Sequence, residues 1–148
     1  MSDEIRVLDD QQIRHPLETL KSVVKLKEIL QAADDVKAVY VSPVVKRYIV
    51  ELTTRTRQSA DVYLGASPRG SLALARAGQA RASMSGRDHV LPDDIQALAV
   101  PVLAHRIIVS PAARLRDLSS DRIVQEAINV TPVPGGEFAS MPAGKKSK

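Results

Sequence analysis

The sequence predicts a mainly α-helical domain, a small bundle of about four to five helices with flexible tails. Three observations carry this expectation. Ser-Pro pairs recur at Ser42-Pro43, Ser67-Pro68 and Ser110-Pro111. Each puts a capping hydroxyl before a proline at the first helical position, where a missing N–H costs nothing and φ is already helical. Apolar residues repeat at three- and four-residue steps over long stretches. Aromatic residues make up only 3%, with one Phe and no Trp, so the core must be built from Leu, Ile, Val and Ala, which suits closely packed helices.

At 148 residues the chain holds one domain with tails. Apolar residues are 44% and charged residues 26%, ordinary values for a soluble globular protein. The absence of cysteine excludes disulfides and thiolate metal sites. Asp3 and Glu4, with no apolar segment behind them, argue against a signal peptide. No apolar run approaches the roughly 20 residues that span a bilayer. The net charge of +4 owes much to Lys145, Lys146 and Lys148 near the C-terminus. It supports only weak attraction to a polyanion.

Residues 1–24 show no sustained period, and Arg6 to Leu8 has the character of a short extended piece. His15-Pro16 breaks any helix, because a residue before proline avoids the helical region. Lys25 to Val36 is the first expected helix, with Leu26, Ile29, Leu30 and Ala33 on its core face. The β-branched run Val36 to Val41 predicts extended backbone. Pro43 to Arg57 is the second helix, burying Val45, Tyr48, Ile49, Leu52 and Thr56. Pro68 to Ser85 is the third. Its small residues Gly70, Ala73, Ala77 and Ala80 predict a close helix–helix seam, and Gly86 ends it. Pro92 starts the fourth, with Asp93 and Asp94 complementing its dipole. Leu91 is a poor cap there, and Pro101 should kink or split the helix. Ile107 to Val109 is a short apolar run. Ser120 to Asn129 is the last helix. From Thr131 the chain is rich in Pro, Gly and Ser, which predicts disorder.

The stretch that stands apart is Gly65-Ala66-Ser67-Pro68-Arg69. Gly65 offers a sharp turn, Ser67 an N-cap hydroxyl, and Pro68 the first helical residue. Arg69 then leaves the first turn, beside a helix end that favours anions. No Asp or Glu occurs from Val62 to Arg87, whereas Arg69, Arg76, Arg81 and Arg87 do. Arg69 and Arg76 are two turns apart and share one face. A well-capped helix with a solvated arginine face is the plain alternative.

This pentapeptide, the helix of small residues after it, and Gly86-Arg87-Asp88-His89-Val90-Leu91-Pro92-Asp93-Asp94-Ile95 resemble the C-terminal helical lid of MoxR-type AAA+ ATPases. The resemblance runs from about His15 to Pro134. Thr54-Arg55 or Thr56-Arg57 matches a Thr-Arg pair common in that family, and Pro101 to Arg106 follows its pattern. Leu91 departs from it, since Ser or Thr is usual there. The resemblance implies a bundle of the AAA+ lid type. It implies a junction to the ATPase core over residues 1–24, a lid over 25–130 and a disordered tail over 131–148. It implies that Arg69 is the "sensor 2" residue reaching the nucleotide phosphates, with Gly65, Ser67, Pro68 and Arg76 in support.

The rest of a nucleotide site is missing from the sequence. A P-loop needs Gly, four residues, Gly, Lys and Ser or Thr. Only Gly144-Lys145 echoes it, with Ala139 and Lys146 at the other required positions. No apolar strand ends in Asp-Glu to hold magnesium, and His15, His89 and His105 lack zinc-site spacing. The expectation is a lid without its core, inactive alone, that uses ATP and magnesium only in the context of that core. Why the core is absent stays open. By resemblance the partners are the AAA+ core and neighbouring subunits of a ring, commonly a hexamer, with von Willebrand A domain proteins among the clients. The location expected is cytoplasmic, with no membrane and no nucleic-acid partner. The alternative function is a free-standing helical module that sets its arginine face on nucleic acid or an acidic protein.

Overall fold

A computed structural model describes residues 2–11 and 16–134. His15 and the tail beyond Pro134 lie outside these residues. The chain divides into two units, Met1–Asp34 and Asp35–Lys148. Among the described residues are seven α-helices and one two-stranded sheet, so the fold is mainly α as expected.

In the first unit, Ser2–Gln11 forms helix α1, where an extended piece was expected over Arg6 to Leu8. Asp3 and Glu4 sit in its first turn, where acids complement the helix dipole, and no β-branched run opposes it. A 3₁₀ turn, Pro16–Thr19, follows. Helix α2 spans Leu26–Ala38 and crosses the unit boundary. The Glu28 carboxylate accepts the Lys25 N–H at 2.7 Å and closes its first turn. The stripe expected to be core is not buried: Leu26, Ile29 and Leu30 are all exposed. Among the described residues, the core of the second unit begins at Val39.

The expected extension from Val36 is also displaced, because α2 runs on to Ala38. The reason lies in another helix. The Gln79 side-chain amide donates to the Val39 carbonyl at 2.8 Å and to the Lys37 carbonyl at 3.4 Å. It thus satisfies groups that a helix end leaves open. Only then does the chain extend: Tyr40 forms a parallel bridge with His89, its N–H donating to Asp88 and its carbonyl accepting from Val90.

The second unit is built from four helices. These are α3 (Pro43–Gln58), α4 (Pro68–Met84), α5 (Pro92–Leu103) and α7 (Ser120–Val130). Strand β1 (Val62–Leu64) pairs antiparallel with β2 (Ile108–Val109), and a short helix α6 (Pro111–Arg114) follows β2. Tyr48, Leu52, Leu74, Ile95, Ala99, Leu103 and Val124 fill the main core. A satellite cluster of Val109, Ala113 and Ile123 lies under the strand pair. Tyr48, the one buried aromatic among the described residues, keeps its hydroxyl bonded to the Gln96 amide at 3.0 Å.

The seam of small residues is real but its register differs. The buried positions of α4 are Gly70, Leu74, Gly78 and Ala82, whereas Ala73, Ala77 and Ala80 are half-buried. An i, i+4 ridge of this kind packs into the grooves of a facing helix. A Cβ on Gly78 would lie 2.8 Å from Ile95 Cδ1 and 3.1 Å from Val90 Cγ1, which shows how closely α5 approaches. Gly86, at φ +70°, ends the helix as expected. The Gly86 N–H donates to Ser83 and the Arg87 N–H to Ala82, the paired bonds of a Schellman ending. Pro101 does not split α5. It falls in the last turn, and the helix passes Leu103 into a 3₁₀ turn, Ala104–Arg106.

The serines do not behave alike. Ser42, Ser110 and Ser119 each accept a backbone N–H at the start of a helix. Ser67 precedes α4 with extended backbone, but its hydroxyl makes no capping bond. Ser42→Ala should therefore cost about 1 kcal/mol in urea unfolding, a usual price for a lost cap. Ser67→Ala should stay within about 0.5 kcal/mol of the parent, as surface substitutions do. Equal losses at the two sites would show that Ser67 caps in solution.

Candidate functional site

The last turns of α3 hold the Gly65–Arg69 segment in place. Thr56 Oγ1 donates to the Thr53 carbonyl at 2.7 Å and accepts the Ala66 N–H at 3.1 Å. Arg57 donates through Nη1 to the Ala66 carbonyl at 2.7 Å and through Nη2 to Thr54 Oγ1 at 2.8 Å. Both backbone polar groups of Ala66, a residue with no exposed surface, are thus satisfied from α3. One turn into α4, the Ser71 hydroxyl lies 2.9 Å from that of Thr53.

Gly65 serves a purpose other than the sharp turn expected of it. Its φ lies outside the left-handed region, where Gly86 alone among the described glycines is found. A Cβ at position 65 would stand 2.6 Å from Arg57 Cα and 2.7 Å from Arg57 N. Glycine is there because two backbones touch. Gly70 plays a similar part against α5: a Cβ there would meet Leu103 Cδ2 at 3.2 Å and Arg106 Cδ at 3.7 Å. The start of α4 is wedged between α3 and the end of α5.

Pro68 is the first residue of α4, and Arg69 follows it with its side chain exposed. Among the described residues the Arg69 guanidinium forms no hydrogen bond or ion pair, and its backbone N–H has no acceptor. Arg76, two turns on, is likewise exposed and unpaired among the described residues. A free guanidinium beside an open helix N-terminus can grip a phosphate with two parallel N–H···O bonds.

The other two arginines of the expected face are committed elsewhere. Arg87 meets Asp94 in a bidentate pair at 2.7 and 2.8 Å, and Arg81 Nε lies 3.3 Å from the same carboxylate. Asp94 also accepts the Leu91 N–H at 2.9 Å. That bond is the carboxylate half of a capping box and ties down the start of α5, although Leu91 has no side-chain acceptor of its own. Burial opposes the charged form of Asp94, yet the Arg87 bonds and the Leu91 N–H outweigh it and hold the carboxyl below its usual range. The same contact raises Arg87. Asp94 was expected to be a solvated dipole partner, and it is instead buried at 3% exposure.

Sequence reasoning noted Thr56-Arg57 as one of two possible family pairs and Asp94 as a dipole partner, but gave none of the three a part in holding the site. The alternation Thr54-Arg55-Thr56-Arg57 was the available signal, since a hydroxyl on the buried face of a helix must find a partner. An open groove of about 490 Å³ is lined by Tyr63, Ile108, Val109, Pro111, Arg114 and Leu115. Its walls are apolar except for Arg114, and none of the expected site residues borders it. Among the described residues no three His, Asp or Glu side chains converge to hold a metal ion. No helix among them is long and apolar enough to cross a membrane.

The second unit is thus a small helical bundle with a two-stranded clip, and Arg69 stands unpaired among the described residues at the start of α4. Comparison with known proteins gives the family. The AAA lid domain family matches residues 54–127, half of the chain. The uncharacterized protein YeaC of Bacillus subtilis is 41% identical over 133 residues, covering 90% of this chain and 42% of YeaC. Protein MoxR of Paracoccus denitrificans is 36% identical over 109 residues, covering 64% of this chain and 32% of MoxR. A solved structure of a candidate ATPase from Cytophaga hutchinsonii superposes with a TM-score of 0.77 at 25% identity, over 90% of this chain and 43% of that one. The chain belongs to the AAA lid domain family and is the lid domain of a MoxR-like AAA+ ATPase. It spans less than half the length of these relatives.

Proposed function

We propose that this domain closes over ATP held by a P-loop core, with Arg69 as the sensor 2 contact to the γ-phosphate. The observation that carries the reading is the contrast among four arginines of one acid-free stretch. Arg81 and Arg87 are bound to Asp94, while Arg69 is left unpaired at the start of α4. Gly65 and Pro68 shape that start, Ser67 leaves its hydroxyl uncommitted, and Arg76 supports the charge on the same face. The described residues offer a phosphate a guanidinium and bring no metal-binding cluster together, so in this reading magnesium falls to the core. The nucleotide supplies the phosphate charge, and this chain binds and orients it while coupling its presence to the angle of the lid. By family likeness the intact protein is a cytoplasmic, chaperone-like ring ATPase, commonly hexameric, with von Willebrand A domain proteins among its partners.

Arg69→Ala in the ATPase carrying this lid should lower kcat/KM for ATP by roughly tenfold or more, as loss of a charged transition-state contact does. Arg69→Lys should fall between, since lysine keeps the charge but loses the planar fork. Neither change should shift the melt of the present chain by more than about 0.5 kcal/mol, because the side chain is exposed and unpaired. Unimpaired hydrolysis in Arg69→Ala would refute the sensor assignment.

A further inference from the structure

Arg57 lies near the end of α3 and donates to the Ala66 carbonyl in front of α4, three residues before Arg69. We propose that it acts as a positioning residue, aiming Arg69 by holding the backbone in front of α4. The inference rests on the sensor reading of Arg69 and extends it to how that side chain is kept in place.

A helix start is ordinarily fixed by its own cap. The start of α4 has none: Ser67 makes no capping bond, Pro68 has no N–H to anchor, and the Arg69 N–H is unbound. The Gly70 N–H turns back to the Ser67 carbonyl at 2.7 Å. What fixes the segment comes from α3, and three contacts converge there on residues 65–66. Thr56 takes the Ala66 N–H, Arg57 Nη1 takes the Ala66 carbonyl, and the Arg57 backbone touches Gly65.

Of these, Arg57 is the side chain whose placement calls for explanation. It is exposed, and an exposed arginine ordinarily leaves its donors to water. Here the guanidinium is spent on a backbone carbonyl and a threonine hydroxyl, one bond from each terminal nitrogen. Thr54 thereby locks the fork in the orientation that meets Ala66. The Ala66 carbonyl is only three residues ahead of Arg69, so its displacement tilts the first turn of α4. An error of about 1 Å at a reacting group can cost a hundredfold in rate. Lysine could reach the carbonyl but could not hold Thr54 as well, because it lacks the rigid fork.

The test is a double-mutant cycle in the ATPase carrying this lid, read as kcat/KM for ATP, with melts of the present chain as the control. Arg57→Ala should lose roughly as much as Arg69→Ala. The double variant should lose no more than Arg69→Ala alone, because a residue that acts through another adds nothing once the other is gone. Arg57→Lys should recover part of the loss. Full activity in Arg57→Ala, beside an impaired Arg69→Ala, overturns the positioning role and leaves the sensor reading intact. Losses that multiply overturn it as well, since Arg57 would then act on the nucleotide or the fold independently. If Arg69→Ala itself is unimpaired, it is the sensor reading that fails. Should Arg57→Ala melt without cooperativity, the cycle is run with Arg57→Lys, which keeps the aliphatic stem against Gly65 and is judged by the same criteria.

Discussion

Asp94→Ala is expected to destabilise the chain by about 3 kcal/mol, at the low end for a broken buried ion pair because the partner arginines keep part of their water. The carboxylate is almost wholly buried and serves three groups at once: both terminal nitrogens of Arg87, Arg81 Nε, and the Leu91 N–H that caps α5. Removing it strips Arg87 of its ion pair, leaving the guanidinium only the His89 carbonyl, and loosens the start of the helix that supplies Ile95, Ala99 and Leu103 to the core. For a domain of this size the melting temperature should fall by roughly 10–20 °C. Asp94→Asn, which keeps the shape and one acceptor, should lose about half as much.

The same site fixes a pH dependence. The folded-state pKa of Asp94 is depressed below the ordinary 3.8, so the unfolded chain takes up its proton first as pH falls. The contribution of Asp94 is complete above that ordinary value. It is lost as pH drops through it towards the folded value, and raising pH above neutrality changes nothing at this group. Urea unfolding between pH 7 and pH 3 should show the gap between parent and Asp94→Ala narrowing at the acid end. A gap that stays constant, or an alanine variant as stable as the parent at pH 7, would sink the account.

Gly65→Ala is expected to cost about 2–3 kcal/mol, the usual range for forcing a methyl into a full site. The added carbon would meet Arg57 Cα and N, which belong to a helix backbone and cannot swing aside as the end of a side chain can. Relief requires the segment to lift from α3, which breaks both Ala66 bonds. Hydrogen exchange should therefore accelerate at the Ala66 amide well before it does so in α5 or α7. In the ATPase carrying this lid, the same change should impair hydrolysis like Arg69→Ala, since the start of α4 moves with the segment. Parent-like stability and an unchanged Ala66 amide would show that the contact yields at little cost.

Much of this molecule was legible before any coordinates. The second, third, fourth and last helices of the bundle fall within a few residues of where apolar period, Ser-Pro pairs and Gly86 put them. These signals are local: a proline at the first helical position or a glycine at positive φ acts on its own turn, whatever surrounds it. The exposed place of Arg69 in the first turn of α4 was legible for a related reason, because Ser67-Pro68 marks where that helix begins.

What required the tertiary structure was every feature decided by a partner far along the chain. The end of α2 is set by Gln79, and the small-residue seam takes its register from the approach of α5 rather than from the composition of α4 alone. Gly65 reads in sequence as a turn and proves to be a backbone contact with Arg57, while Asp94 reads as a surface acid and proves to be the buried anchor of two arginines. Amphipathic period gave α2 a core face, but period says only that a helix has two sides, and burial depends on what packs against them. Local propensity determined where the helices lie. Packing between α3, α4 and α5 decided that Arg57, Arg81 and Arg87 are bound into the fold while Arg69 and Arg76 stay unpaired among the described residues.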